Sequence, residues 1–243
     1  MKDLFSTDSQ RYQQARPTYP PSLLQSLLQY IPERELAWDC GAGSGQLTHM
    51  LASYFDQVVG TDISQTQLSH AEYYDNISYQ LQPAENTTFP DHCFDLITVA
   101  QAIHWFDFEA FYAEVRRTIK PSGILAVVGY GLIHVDDLEI NAKVQHLYHQ
   151  TLNGFWDAER HYVDELYQTI PFPFDEIEMP AFQIEAQWTL QQLLQYLNTW
   201  SAVQHYILEK NLDPVQQLLS KGRDLQDQVS IQFPVLLRVG RCS

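Results

Sequence analysis

The sequence predicts one α/β domain over residues 1–243, with a mostly parallel seven-stranded sheet, helices on both faces and a helical cap insertion. Three observations predict this fold class: strand and helix patterns alternate five times, a glycine-rich turn joins the first strand to its helix, and two more strand patterns follow later in the chain. Such alternation favours parallel strands joined by right-handed crossovers. A chain of 243 residues is long enough to bury the core of this domain.

The elements before the second strand each have a local signature. Residues 1–20 form an arm that ends in a proline-rich entry, and apolar residues at helical spacing then predict a helix over residues 21–31. A buried strand begins at Leu36 and leads through the glycine turn into a second helix, whose apolar stripe covers residues 47–55. Strand, turn and helix are therefore expected to form one unit.

The later elements follow from apolar residues repeating with the period of a strand or of a helix. A helix is predicted over residues 64–74, and another over residues 107–119 ends at a Lys-Pro-Ser-Gly stop. Two helices, at residues 190–197 and 215–219, are expected between the last two strands. The strand patterns after the first lie at residues 57–64, 77–81, 94–100, 124–128, 181–188 and 230–239.

A helical and aromatic segment separates the fifth strand from the sixth. It covers residues 132–180 and is interrupted by Pro171 and Pro173. We interpret it as a cap inserted into the sheet domain. Because ordinary core packing accounts for most buried aromatic side chains, no residue of this segment is assigned to a site.

The glycine turn predicts a site for a small, positively charged ligand. Gly41, Gly43 and Gly45 let backbone amides approach a bound molecule, and Asp39 places a carboxylate at the carboxyl end of the first strand, where open parallel sheets bind ligands. The dinucleotide fingerprint requires a glycine where Gln46 stands, which weakens a pyrophosphate interpretation. S-adenosylmethionine has no phosphate but carries an ammonium, a sulfonium and a ribose, so it suits this acid better. A tight turn without a ligand is the alternative.

A second acid, Asp62, ends the second strand seventeen residues after Gly45. Acids at this place commonly accept hydrogen bonds from both ribose hydroxyls. The alternative is an N-cap for the following helix, and that role is compatible with a ribose contact. We therefore predict that Asp62 binds the ribose.

Together these motifs resemble those of the class I S-adenosylmethionine-dependent methyltransferases. Residues 39–45 correspond to the glycine motif, Asp62 to the ribose acid, and Ala84 with Glu85 to the pair beside adenine. The resemblance implies a Rossmann-like methyltransferase fold and S-adenosylmethionine as the cofactor.

A closer resemblance, to small-molecule methyltransferases of the trans-aconitate and cantharidin type, is carried by residues 12–20, 101–107 and 198–202. It implies that the first segment covers the cofactor and the second lines the methyl-transfer pocket, while substrates differ widely among these proteins. The expected cofactor-binding residues are Tyr12, Arg16, Tyr19, Asp39, Gly41, Ala42, Gly43, Gly45, Asp62, Ile63, Ala84, Glu85, Ala100, Gln101, Ala102 and Trp105.

Four side chains have two interpretations each. His104 directly follows the fourth strand and is the candidate catalytic residue, as a base or to orient the acceptor, although it could simply hydrogen-bond the backbone. Arg16 could pair with an acidic substrate or dock the arm on an acidic surface. Tyr12 and Tyr19 either shield the sulfonium or staple the arm.

Composition excludes several classes of partner. A net charge of −16, without a basic stripe, argues against nucleic acid and membrane surfaces. Cys40, Cys93 and Cys242 are too few and too irregularly spaced for a disulfide framework or a zinc site, so no metal is expected, and Cys40 is interpreted as a small filler of the turn. The sequence has neither an apolar run of about 20 residues nor a signal-peptide core, which predicts a cytoplasmic protein.

The predicted function is transfer of a methyl group from S-adenosylmethionine to a small molecule, with a carboxylate or other oxygen nucleophile as the acceptor. A carboxylate with a pKa of about 4 is already ionised at neutral pH and needs no base, whereas a phenol does. Methylation of carbon or nitrogen in a small metabolite, a nucleotide-dependent oxidoreductase and a cofactor-binding protein without catalysis stay open as alternatives. The sequence makes no prediction of oligomeric state.

Overall fold

The computed structural model describes residues 16–216, 218 and 223–242, so Tyr12 lies outside the described residues. The described strands all belong to one mixed sheet. They are β1 (Leu36–Cys40), β2 (Gln57–Asp62), β3 (Ile77–Leu81), β4 (Phe94–Ala100), β5 (Ile119–Tyr130), β6 (His134–Val135), β7 (Asp175–Glu176), β8 (Gln183–Thr189) and β9 (Gln228–Arg241).

The sheet is parallel on one side and antiparallel on the other. Its main path has the order β3-β2-β1-β4-β5-β9-β6, and β7 and β8 also pair with β9. Strands β1 to β5 run parallel, whereas β9 runs antiparallel to β5. The chain order reverses at β1, which pairs with β2 on one side and β4 on the other. Open α/β sheets bind ligands at the carboxyl ends of strands beside such a reversal.

Helices pack on both faces of the sheet, as predicted. Side chains alternate along β1, so that Ala37 joins one buried apolar cluster and Trp38 the other. Helices α1 and α2 pack with Ala37, and α4 packs with Trp38. The described helices are α1 (Pro21–Leu27), α2 (Gln46–Ala52), α3 (Gln65–Leu68), α4 (Phe108–Thr118), α5 (Leu138–His146), α6 (His161–Asp164), α7 (Leu190–Leu197) and α8 (Ser201–Lys210).

All seven predicted strands are confirmed, and the short strands β6 and β7 add to them. The fifth strand is longer than the predicted 124–128, because Ile119 pairs with Phe94 at one end and Tyr130 pairs with Val235 at the other. Long-range pairing thus extends a strand beyond its apolar run.

Two helix predictions were wrong. The helix predicted over residues 64–74 ends after one turn at Leu68, since the next residues offer no apolar face, and Tyr73 is 83% exposed. Of the helix predicted at residues 215–219, residues 217 and 219 lie outside the described residues, and residues 215, 216 and 218 form bends and a turn, where the Val215 amide donates to Asp213 Oδ1 at 2.9 Å. Helix α8, which was not predicted, precedes these turns and buries little besides Ala202 and Val203.

The segment 132–180, predicted as a helical cap, is helical in its middle and joined to the sheet at both ends. Helices α5 and α6 lie between strands β6 and β7, and both of these strands pair with β9. None of the helices in the described part of the chain is long and apolar enough to cross a membrane.

Candidate functional site

The glycine turn lies at the carboxyl end of β1 and is shaped by left-handed backbone. Gly41, Gly43 and Gly45 have φ values of +70°, +57° and +83°, which side-chain-bearing residues rarely adopt. A Cβ on Gly41 would lie 2.6 Å from the Cβ of Ala102, so the turn packs directly on the segment after β4. A Cβ on Gly43 would meet only Gln67 Oε1, at 3.9 Å. The turn therefore offers open backbone at Gly43 for a ligand.

Asp39 lies beneath this turn and is held by two hydroxyl groups. Its side chain is 1% exposed, Thr48 Oγ1 donates to Oδ2 at 2.6 Å, and Thr98 Oγ1 donates to Oδ1 at 2.9 Å. Burial raises the pKa of Asp39 to about 6, against the lowering effect of the two hydroxyls. Sequence reasoning missed both threonines, although Thr98 lies directly opposite Asp39 in the β1–β4 register.

The buried charge of Asp39 predicts a pH-dependent stability difference. A carboxylate whose folded pKa is raised favours folding below about pH 4, and this contribution is lost as the pH rises through 6. Asp39→Asn removes the charge and can keep both threonine contacts, with one hydroxyl then accepting from the asparagine Nδ2 group instead of donating. The free energy of unfolding of the variant minus that of wild type should be larger at pH 7.5 than at pH 4, by on the order of 2 to 3 kcal/mol. Urea unfolding at the two pH values measures this change. A difference that does not change with pH would contradict this assignment.

Asp62 joins the glycine turn to the start of α3. Its Oδ2 accepts from the Gly43 amide at 2.9 Å, and its Oδ1 accepts from the Ser64 amide at 2.8 Å. The N-cap of α3 is Ser64, whose hydroxyl accepts from the Gln67 amide. A carboxylate oxygen can accept more than one hydrogen bond, so the ribose role predicted for Asp62 is compatible with these contacts.

The residues predicted beside adenine lie after β3. Ala84 is buried, and Glu85 is partly exposed and accepts from the Asp107 amide through Oε1 at 3.2 Å. Ile63, which follows Asp62, is also partly exposed. These side chains and the glycine turn border the same edge of the sheet.

The segment after β4 is strained at Gln101. This residue has a φ of +54°, which is rare for a residue with a side chain, and its side-chain Nε2 donates to the Tyr130 carbonyl at 3.1 Å. Strained backbone of this kind clusters at functional sites. The next turn, Ile103–Trp105, follows within two residues and carries His104 and Trp105.

His104 is nearly buried and uncharged. It is 8% exposed, its Nδ1 lies 3.5 Å from the Tyr167 hydroxyl, and its ring lies 5.0 Å from that of Trp105. Burial lowers the pKa of His104 to about 3, and the positive charge of Arg160 adds to this effect. A histidine with so low a pKa is a weak base at neutral pH.

His104 opens onto a cleft that we call the acceptor cleft. Four separate segments contribute its walls: the arm, the turn after β4, the cap and the start of α8. Its lining residues are Arg16, Gln101, His104, Trp105, Trp156, Asp157, Arg160, Trp200 and Ser201.

Arg160 is the most distinctive side chain of the acceptor cleft. Its Nε donates to the Tyr148 hydroxyl at 2.8 Å and lies 3.4 Å from Asp164 Oδ1, while Tyr148 donates to Asp164. The guanidinium lies 5.3 Å from the Tyr148 ring centre and 5.1 Å from that of Trp156. Within the described residues, its two terminal nitrogens have no hydrogen-bond partner. Arg160 is therefore fixed through one edge and presents its fork to the cleft.

Arg16 also reaches the acceptor cleft but is engaged by the protein. One terminal nitrogen donates to the Tyr130 hydroxyl at 2.9 Å, the other lies 3.5 Å from the Thr199 carbonyl oxygen, and the guanidinium lies over the Tyr196 ring. Tyr19 is buried in an apolar cluster with Tyr130. In these contacts Arg16 docks on a tyrosine hydroxyl, a backbone carbonyl and an aromatic ring, whereas the docking interpretation expected an acidic surface.

Sequence reasoning missed the cap residues of the cleft, above all Trp156, Asp157 and Arg160. A usable signal was present, because this acidic chain has only 14 basic side chains and Arg160 lies among the aromatics of the cap. In the part of the chain that the structure describes, no group of three or more His, Cys, Asp and Glu side chains could hold a metal ion.

Comparisons with known proteins agree with this fold. A family model described as a methyltransferase domain matches residues 38–127. A Dictyostelium discoideum protein named as a methyltransferase is 34% identical over 246 residues, which cover 97% of this chain and 93% of that protein. A solved structure of a methyltransferase described as type II, from Anaeromyxobacter dehalogenans, has a TM-score of 0.85 and 38% identity and covers 93% of this chain and 98% of that one.

Proposed function

The chain belongs to the S-adenosylmethionine-dependent methyltransferases, and from that premise we propose that it methylates a carboxylate of a small acidic molecule. The single observation that supports an acid is the free guanidinium fork of Arg160 beside His104 in the acceptor cleft. Guanidinium forks match carboxylates in two parallel hydrogen bonds.

The residues around the glycine turn fit the cofactor. Asp39, Asp62 and Glu85 surround the turn. Burial is the largest cause that raises the pKa of the Cys40 thiol, and the negative charges of these three acids raise it further, so the thiol stays protonated. A field of this sign suits the ammonium and sulfonium of S-adenosylmethionine and opposes the pyrophosphate of a nicotinamide dinucleotide. The open backbone at Gly43 leaves room for close approach of the cofactor.

The chemistry divides between cofactor and protein. When bound, S-adenosylmethionine supplies a methyl group whose C–S bond breaks as the acceptor oxygen forms the C–O bond, so a carboxylate becomes a neutral ester and no proton is released. The protein therefore needs to position the acceptor rather than to deprotonate it. Arg160 orients the acid through its fork, and the indole rings of Trp105, Trp156 and Trp200 line the cleft and exclude water.

His104 acts in this proposal as a neutral hydrogen-bonding group. Its low pKa keeps it uncharged across the working pH range, and a carboxylate acceptor requires no base. This role differs from that of a general base, whose loss lowers rates by about 10²- to 10⁴-fold.

A variant tests the role of His104. We expect His104→Ala to lower kcat by about tenfold, with the Kd of S-adenosylmethionine within about twofold of wild type by titration calorimetry. At saturating cofactor, kcat/KM of wild type should show no ionisation near pH 6.5. His134→Ala, on an exposed strand, is the matched control. A pH limb near 6.5 that disappears in His104→Ala would identify a base instead.

The proposed function is tested with methyl-labelled cofactor. A low-molecular-weight metabolite extract is separated by anion exchange into bound and unbound fractions, and each is incubated with the protein. We expect labelled product from the anionic fraction only, with the label released as methanol by mild alkali, since esters hydrolyse under these conditions. Alkali-stable label would indicate methylation of carbon, nitrogen or a hydroxyl oxygen, and acceptor activity confined to the unbound fraction would contradict an acidic substrate.

A further inference from the structure

We propose that Asp157 selects, among acids, those that carry a hydrogen-bond donor close to the carboxylate, either a hydroxyl or an ammonium group. This inference rests on the proposed function and names its substrate class more narrowly. Arg160 would hold the carboxylate, and Asp157 would accept the hydrogen bond of the donor.

The first observation is an unsatisfied carboxylate oxygen in the acceptor cleft. Asp157 lines the cleft beside Arg160, and its Oδ2 is buried from solvent without a hydrogen-bond partner in the described residues. Leaving such an atom unpaired is unfavourable, and more so when the group is charged. A donor group on a bound molecule would satisfy it.

The second observation is that Asp157 does not cap the turn that it precedes. Asp157 is the N-cap residue of the 3₁₀ turn Ala158–Arg160, yet its side chain makes no capping hydrogen bond. In the same chain, Asp107 and Asp137 cap helices α4 and α5 through their side chains. The side chain of Asp157 is therefore available to a ligand at a place where aspartate usually stabilises the backbone.

The third observation is the spacing of Asp157 and Arg160 on one short turn. Asp157 directly precedes the turn and Arg160 ends it, and both residues line the acceptor cleft. Arg160 contacts Tyr148 and Asp164. Among the described residues, it forms no ion pair with Asp157. One turn thus presents a free cation fork and a free acceptor oxygen to the same cleft. A molecule that carries both an anion and a donor satisfies the two groups at once.

Nine acids in three matched sets test the inference. Succinate, glutarate and 3-phenylpropionate are the parents, and each is compared with its 2-hydroxy and 2-amino derivatives by release of S-adenosylhomocysteine. For the wild type, we expect kcat/KM of a hydroxy or amino derivative to exceed that of its parent by about tenfold or more. In Asp157→Ala this ratio should fall to within about threefold of one.

Two variants sharpen the result. Asp157→Asn keeps an acceptor oxygen but loses the charge, so it should retain preference for the hydroxy acid and lose it for the amino acid. Glu178→Ala removes an exposed carboxylate of the cap and should leave the wild-type ratio. Equal kcat/KM of parents and derivatives with wild type, or an unchanged ratio of derivative to parent in Asp157→Ala, would overturn this inference and leave the proposed function standing. Release of S-adenosylhomocysteine from none of the acids would count against the proposed function.

Discussion

Replacement of Arg160 by glutamine should lower kcat/KM for the acidic acceptor by roughly 30- to 700-fold, the equivalent of about 2 to 4 kcal/mol. Glutamine keeps part of the length and polarity of arginine but removes both the charge and the fork. The loss should fall on the KM of the acceptor and not on that of the cofactor, because Arg160 lines the acceptor cleft and the residues of the glycine turn do not. Steady-state kinetics with each substrate varied in turn measure the two effects separately.

Controls separate this loss from a folding defect. Arg160 packs against Tyr148 and Trp156, so the unfolding midpoint of the variant is measured alongside its kinetics. Arg160→Lys keeps the charge without the fork and should give an intermediate loss. Arg116→Gln is the matched control, since Arg116 also lies over an aromatic ring, that of Phe174, but does not line the cleft. Full activity of a folded Arg160→Gln protein would remove the basis for an acidic substrate.

Replacement of Asp62 by alanine should weaken S-adenosylmethionine binding by about 1 to 3 kcal/mol, or roughly 5- to 150-fold in Kd. The variant loses the acceptor proposed for the ribose hydroxyls, and it also releases the amides of Gly43 and Ser64 that this carboxylate fixes. Titration calorimetry measures the change directly. The kcat at saturating cofactor should change much less than Kd.

A second acid, beside the other end of the same strand, provides the comparison for Asp62. Asp56 is exposed and directly precedes β2, at the end opposite Asp62. Asp56→Ala removes an equal charge from the same neighbourhood of sequence and should leave the affinity for S-adenosylmethionine unchanged. Equal weakening by both variants would indicate a general charge effect, and no weakening by Asp62→Ala would refute its assignment to the cofactor.

Local patterns predicted the central sheet and the glycine turn because those features depend on neighbours in sequence. The strand at residues 94–100, for instance, is identified by an apolar run in which Asp95 and Thr98 are the polar residues, and the structure gives the same limits. The conformations of Gly41, Gly43 and Gly45 follow from their lack of a Cβ. The short helix α3 was overestimated, since its capping residue Ser64 is visible in the sequence while the packing that would extend the helix is absent.

The environment of each functional group could not be predicted in this way. Asp39 was located correctly, but the hydroxyls of Thr48 and Thr98 that hold it come from a helix and from the neighbouring strand. His104 was identified by its place after β4, whereas its low pKa arises from burial and from Arg160, which is 56 positions later in the sequence. Titration behaviour depends on what surrounds a group in space.

The sequence by itself determined the order of the seven main strands, the glycine turn and the acids beside it, because periodicity and glycine chemistry act over a few residues. Only the tertiary structure decided which side chains line the acceptor cleft. Arg160 in this cleft is aligned by Tyr148 and Asp164. It lies beside His104 because the cap and the turn after β4 line the same cleft. No local sequence pattern predicts that Arg160 and His104 lie side by side, since each of these residues taken alone is compatible with ordinary packing.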